Sequence, residues 1–268
     1  MAAVAVITAV TGLACSDILG SASRSPIASI SALSLPYPTV VIGDVMRDSL
    51  GVATPVSIQA FDANGKLVTD QSPQFTILDA TTSTLATTVQ IDQSGFVHGI
   101  ARDTAGARVF ASFGTLTAPA QRVLVSAPPT NAAKNPGPWE ISFVDTIPDT
   151  LTATNWSPQL ALTLSDANGI GAQGFVVTYA VTRYPAARTA GDTAAYIGND
   201  AGKPSGRDTT KLNGVASRRV VLRQRVLADS VRAGTRVDTI IVRATVRYNG
   251  VDVPGTPLDY IVPVMKKP

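Results

Sequence analysis

The sequence predicts an all-β protein of two tandem β-sandwich domains behind an N-terminal export or anchor segment. Short apolar runs alternate with turn residues from Pro36 onward, and no long segment keeps a helical period. The 21 Gly and 18 Pro in 268 residues supply the many turns that short strands require. A proline-dense stretch near the middle is followed by a fresh run of strand patterns, which divides the chain in two. With 45% hydrophobic and 15% charged residues the chain fills a core, and such a composition excludes disorder and fibre. Its apolar residues are spread along the chain rather than gathered into bilayer-length blocks, which excludes a polytopic membrane protein.

Residues 1–15 form the export or anchor segment. Ala2 to Ala14 is an uncharged apolar run that ends at Cys15 and is followed by Ser16 and Asp17. A run of that length suits the core of a signal peptide and is short for a membrane span. Small residues before a lone cysteine resemble the lipobox of bacterial lipoproteins, which implies lipidation of Cys15 as the first residue of the mature chain. Gly12 departs from that pattern, standing where the family usually has Leu or Val. Cys15 is the single cysteine, so it has no disulfide partner. The segment also reads as an ordinary secretion signal or a retained apolar anchor with Cys15 incidental, and each reading exports the protein. Residues 16–35, rich in Ser and Ala, read as a flexible tether.

The first domain is expected over residues 36–127. Its strand patterns are Thr39 to Ile42, Thr54 to Phe61, Gln74 to Leu78, Leu85 to Ile91, Gly95 to Ile100, Ala107 to Phe113 and Gln121 to Ser126. That count in so short a span is the one expected of an immunoglobulin-like sandwich. Val56, Ile58 and Ala60 alternate with Ser57 and Gln59, as a sheet with one buried face requires. Residues 128–138 hold Pro128, Pro129, Pro136 and Pro138, and read as a stiff linker that cannot continue a sheet. The second domain, 139–268, restarts the pattern at Trp139 to Val144, Gln159 to Leu164, Phe175 to Thr182, Val215 to Val226, Val237 to Tyr248 and Leu258 to Val264. A long glycine-bearing loop is expected at 183–214.

The halves share a repeat. Asp62-Ala63-Asn64-Gly65 recurs as Asp166-Ala167-Asn168-Gly169, each after an apolar strand and before another. Asn-Gly supplies the positive backbone angles of a tight turn, and Asp hydrogen-bonds its amides. A strand ending in Asp-x-Asn-Gly, a second apolar strand and a later hairpin such as Ser94-Gly95-Phe96-Val97-His98-Gly99-Ile100 together resemble the bacterial immunoglobulin-like repeats of the invasin and intimin type. The resemblance spans Pro36 to Ser126 and, more loosely, Trp139 to Val264. It implies surface exposure and interaction roles, and no catalytic residues.

The inventory for chemistry is small: one His, one Cys and one Glu. His98, on an alternating strand with Phe96 and Ile100 and without a nucleophile elbow, reads as a structural or rim histidine. Asp62 with Asn64 and Asp166 with Asn168 lack the further acids of a calcium loop, so no metal site is expected. Trp139 and Trp156 suit core or interdomain places better than sugar stacking, and the Asn155-Trp156-Ser157 sequon reads as chance in an exported bacterial chain. No catalytic residue and no cofactor are expected.

Charge is the most informative remaining signal. Residues 1–180 carry a net −5 and residues 181–268 a net +8. Arg219, Arg223 and Arg225 on one strand, and Arg243 and Arg247 on another, have outward parity and are the candidate partner-binding face. If the two strands belong to different sheets they make two faces. In the long loop, Arg183, Arg188, Lys203, Arg207 and Lys211 are the candidate contacts. The expected partner is an acidic protein surface of a membrane or envelope complex, or anionic lipid headgroups; nucleic acid is excluded by the lack of aromatics among these arginines. The function expected is that of a non-enzymatic, membrane-extrinsic docking protein on the periplasmic or cell-surface face of a bacterial membrane. The alternative is a surface adhesin or glycan-binding module.

Overall fold

The computed structural model describes residues 25–143 and 156–267. The export segment with Cys15, residues 16–24 of the tether, and Val144 and Asn155 lie outside the described residues.

In the first domain the strands are β1 (Ser29–Ile30), β2 (Thr39–Val41), β3 (Ala60–Phe61), β4 (Leu67–Val68), β5 (Gln74–Asp79), β6 (Val89–Ile91), β7 (Val97–Gly99), β8 (Asp103–Phe113), β9 (Leu116–Thr117) and β10 (Gln121–Ser126). One sheet has the order β1-β3-β4, the other β2-β10-β8-β5 with β9 on β8, and β6 pairs with β7. Alternation makes the core: Ala107, Val109 and Ala111 on β8 are buried with Val123 and Val125 of β10, while Arg108 and Arg122 stand on the other parity.

Two expectations need correction here. The tether does not reach residue 35. Ser29 and Ile30 pair with Phe61 and Ala60, and Leu33 is buried, because apolar residues at 27, 30, 33 and 35 interrupt the serines and find the core. The strand over 54–61 is ladder-paired only at Ala60–Phe61; before it, Ser57 exchanges backbone bonds with Ser34 in an isolated bridge, and Gln59 accepts the Ser31 amide while its own amide donates to the Ser31 hydroxyl.

The second domain holds β11 (Asn131–Lys134), β12 (Ile141–Phe143), β13 (Leu160–Ser165), β14 (Val176–Arg183), β15 (Ala195–Gly198), β16 (Arg207–Thr209), β17 (Val215–Leu222), β18 (Asp238–Tyr248), β19 (Val251–Asp252) and β20 (Leu258–Lys266). Its sheets are β11-β13-β17-β15 and β12-β20-β18-β14-β16, with β19 on β18. Leu160, Leu162 and Leu164 face Ile240, Val242 and Val246 across the core, with Phe143, Phe175 and Tyr260 fully buried. Tyr260 donates to the Ala161 carbonyl and Tyr179 to that of Ala216, so each buried hydroxyl is satisfied. Burial pushes both phenols well above their ordinary range.

The 128–138 linker contains a strand: the prolines flank Asn131–Lys134 and leave those four residues free to pair with β13. The 183–214 segment is not one long loop, because Ala195–Gly198 joins β17 and Arg207–Thr209 joins β14. The strand over 215–226 stops at Leu222 and gives way to a short 3-10 turn, Gln224–Val226, and one helical turn, α1 (Asp229–Arg232).

Both Asp-Ala-Asn-Gly turns have the same construction. In each, the Asp side chain accepts the amides two and four residues on, at 2.8 and 2.9 Å from Asp62 and at 2.9 and 2.9 Å from Asp166. Only the glycine is left-handed, at φ 77° for Gly65 and 75° for Gly169, so Asn does not share the positive angle that Asn-Gly was expected to supply.

The domains meet through matched polar and apolar contacts. Arg102 of the first domain donates to Asp166 Oδ2 at 2.9 Å and to the Gly171 carbonyl, beneath which the Asp166 side chain is 4% exposed. Gln173 donates to the carbonyls of Asp103 and Val125. The Val176 amide donates to the Tyr37 hydroxyl at 2.8 Å, and Val41 belongs to the second domain's core. Tyr37 and Tyr248 both lie against Phe175, at 6.4 and 6.0 Å between ring centroids. Gly51 and Gly250 close the contact, since a Cβ on Gly51 would overlap the backbone of Asn249.

Candidate interaction surface of the second domain

His98 is exposed on β7, with Nε2 3.7 Å from Asp92 and Gln90 opposite it on β6. Asp92 is held below its ordinary value first by the Phe96 amide. Among the described residues no three metal-ligating side chains come together. The oxygens of Asp62 and Asp166 that face their turns are spent on backbone amides. Trp139 lies edge-on to Tyr260 at 5.1 Å with the Lys134 ammonium over its ring, and the Arg219 guanidinium lies over Trp156. Both indoles are therefore occupied by intramolecular partners.

The outward arginines fall on two sheets. β17 lies in one and β18 in the other, so Arg219 and Arg223 do not share a face with Arg243 and Arg247. Arg219 is half-buried beside Trp156 with Asp200 at 3.9 Å, and Arg223 stacks over Tyr196 at 5.1 Å. Arg225 is exposed but belongs to the 3-10 turn, not to the strand. On the second sheet, Arg243 makes two hydrogen bonds of 2.9 Å to Asp259 across the β18–β20 ladder. That contact raises the arginine and lowers the carboxyl, each stabilising the charge of the other. Arg247 has Asp252 at 3.3 Å from Nε, with no hydrogen bond to the pair.

The five loop residues are also separated. Arg188 pairs with Asp229 at 2.6 Å near α1, Lys203 closes the turn capped by Asn199, and Lys211 precedes the turn at Gly214. Arg183 ends β14, opposite Ile241. Arg207 stands on β16, and it is brought to Arg247.

The meeting place is a groove of about 400 Å³ at the domain junction. Its floor is the outer face of β14, β16 and β18, and one wall is Leu35-Pro36-Tyr37-Pro38 of the first domain. Sequence reasoning assigned that wall to the tether and domain start and missed its role. Its signal was a tyrosine between two prolines, a segment whose backbone angles are restricted and whose aromatic must pack somewhere. The Arg102–Asp166 contact was likewise missed, although Asp166 had been singled out as the repeat's turn residue. Beside the groove Asp44 binds Arg47 through both oxygens, and that hydrogen bonding holds the Asp44 carboxyl below its ordinary value.

No protein-family model and no curated protein matches the sequence. Among solved structures the chain is similar to the Yersinia pseudotuberculosis adhesin InvE, at 13% identity and a TM-score of 0.36 over 93% of this chain and 62% of that one. It is similar to the Escherichia coli adhesin FdeC at 18% identity and a TM-score of 0.29, over 87% and 65%. The D00-D0 domain of intimin is similar at 9% identity and a TM-score of 0.27, over 90% and 100%. The chain spans less than two thirds of the length of the two adhesin structures. Strand order, sheet pairing and two separate cores make the chain a tandem of immunoglobulin-like β-sandwich domains.

Proposed function

We propose that the chain is a non-enzymatic docking subunit, exported and held by its N-terminal segment on the periplasmic or outer face of a bacterial membrane, where it binds an acidic protein surface of an envelope assembly. The observation that carries this reading is the junction. Arg102, Gln173 and Tyr37 tie two sandwiches into one body, and a binding partner then meets a preorganised surface rather than two swivelling modules. The second domain supplies the cationic surface, and the segment before residue 25 supplies the attachment.

Two measurements test it. Purification from membranes in mild detergent should recover the chain in fixed stoichiometry with a partner, and a salt wash should separate them. A partner-free monomer would sink the proposal. Changing Cys15 to Ser should release the chain from the membrane, because acyl chains contribute about 0.8 kcal/mol per buried methylene. Unchanged attachment would point to a retained apolar anchor.

A further inference from the structure

We infer that the junction groove is the docking site, and that its occupant is an extended peptide segment of the partner in which acidic and apolar residues alternate. This rests on the docking role proposed above. Thr178 lies beside Arg207 on one neighbouring strand and beside Thr245 on the other, so the three form one cross-strand row. Val177 faces Val246, which puts Arg247 one step on, beside Val176. All of these project to the outer side of the sheet, since Val177 and Val246 are buried beneath it. Arg207 and Arg247 are thus two strands apart on a diagonal of about 12 Å between backbones, a span that two arginine side chains can close from both ends.

Arg207 is unpaired among the described residues, and Arg247 has one exposed partner. Among the described residues the Arg207 side chain has no hydrogen bond or ion pair, and Arg247 has its Nε 3.3 Å from the exposed Asp252. An exposed pair of that kind contributes little, so an incoming carboxylate can share the guanidinium. Arg243, by contrast, is committed to Asp259 through two bonds. No carboxylate is among the groove's lining residues, which include Ser49, Thr178 and Thr245. The groove lining therefore has donors for oxyanions, and the acid that competes for them is the exposed Asp252 beside Arg247.

The shape favours a peptide over a lone ion. The volume is far larger than one carboxylate needs and falls in the range of sites for larger ligands. Thr245 and Arg247 repeat at the two-residue spacing along β18 that matches alternate side chains of an extended strand. Leu35, Pro36 and Pro38 on the wall offer apolar contact to the residues between the acids.

The test is fluorescence anisotropy of the full chain with a labelled acetyl-Glu-Val-Asp-Val-Glu-Val-amide. Binding should be saturable, and Arg207→Gln or Arg247→Gln should each weaken it about tenfold. Lys66→Gln, on a distant turn, should leave it unchanged. Thr178→Glu keeps both arginines but places a carboxylate on the floor, and it should abolish binding in a protein whose melting temperature is unaltered. Equal binding of the Gln/Asn version of the peptide, or indifference to both arginine changes, would overturn the site. Displacement by succinate or phosphate at the peptide's own concentration would overturn the peptide assignment. So would vesicles of anionic lipid that bind through the same arginines while the peptide does not. If every probe fails while the chain still co-purifies with a partner, the groove is refuted and the docking role stands.

Discussion

Asp62 and Asp166 occupy the same place in two copies of one turn and differ in what reaches their second carboxylate oxygen. In both, Oδ1 gathers turn amides; at Asp166 alone, Oδ2 also receives Arg102. Asp62→Ala should therefore cost only the turn bonds, about 1 kcal/mol in a urea melt. Asp166→Ala should cost more, and a double-mutant cycle with Arg102→Ala should show coupling that the Asp62 variant lacks. Burial of Asp166 disfavours its charge, but the Ile170 and Asn168 amides and Arg102 together outweigh this and hold its pKa below the ordinary 3.8. A depressed carboxyl contributes stability that is complete above its ordinary value and lost as pH falls through the folded one. The junction should stay closed at neutral pH and loosen below about pH 4, seen as a rise in the radius of gyration by small-angle scattering. A radius unchanged until the whole chain unfolds in acid would contradict that.

At the scale of elements, glycines separate two kinds of turn. Gly65 is left-handed in open space, whereas a Cβ on Gly214 would overlap the Leu164 carbonyl. Gly65→Ala should cost about 1 kcal/mol, the ordinary penalty of a left-handed residue. Gly214→Ala should cost clearly more, because backbone must move as well. Urea midpoints of the two variants check the ranking. Strands such as Gln121–Ser126 and Leu160–Ser165 were legible because a half-buried strand writes its burial into alternate residues. β11 and β16 were not, because they are short, polar edge strands, defined by the ladder beside them rather than by a pattern of their own. Arg243 and Arg247 stand exposed on β18 as their parity suggests, whereas Arg219 is half-buried and Arg225 has left the strand, and the partners of these arginines were not legible. Asp259 lies 16 residues from Arg243 in sequence, and only the ladder brings them side by side. The groove was illegible for the same reason, being assembled from two domains.

The whole molecule behaves as one body if the junction carries stability. Tyr37→Phe tests this, because it removes a single oxygen and leaves the part-buried Val176 amide without its acceptor. The loss should be about 1 to 3 kcal/mol, and a sharp single thermal transition should split into two as the domains uncouple. A single transition at the original temperature would mean that the contact is dispensable. Arg243→Glu should lower the melting temperature by a degree or so through repulsion from Asp259, a small effect in keeping with an exposed pair.

In each sandwich, β2 with β10 and β12 with β20 lie side by side and point the same way. Pulling the two ends of such a chain apart draws one member of each pair backward and the other forward. The two strands must then slide past each other, and every bond of the pair is loaded at once instead of opening in turn like a zip. Parallel end strands of this kind resist tension along the chain better than a hairpin pulled open from one end.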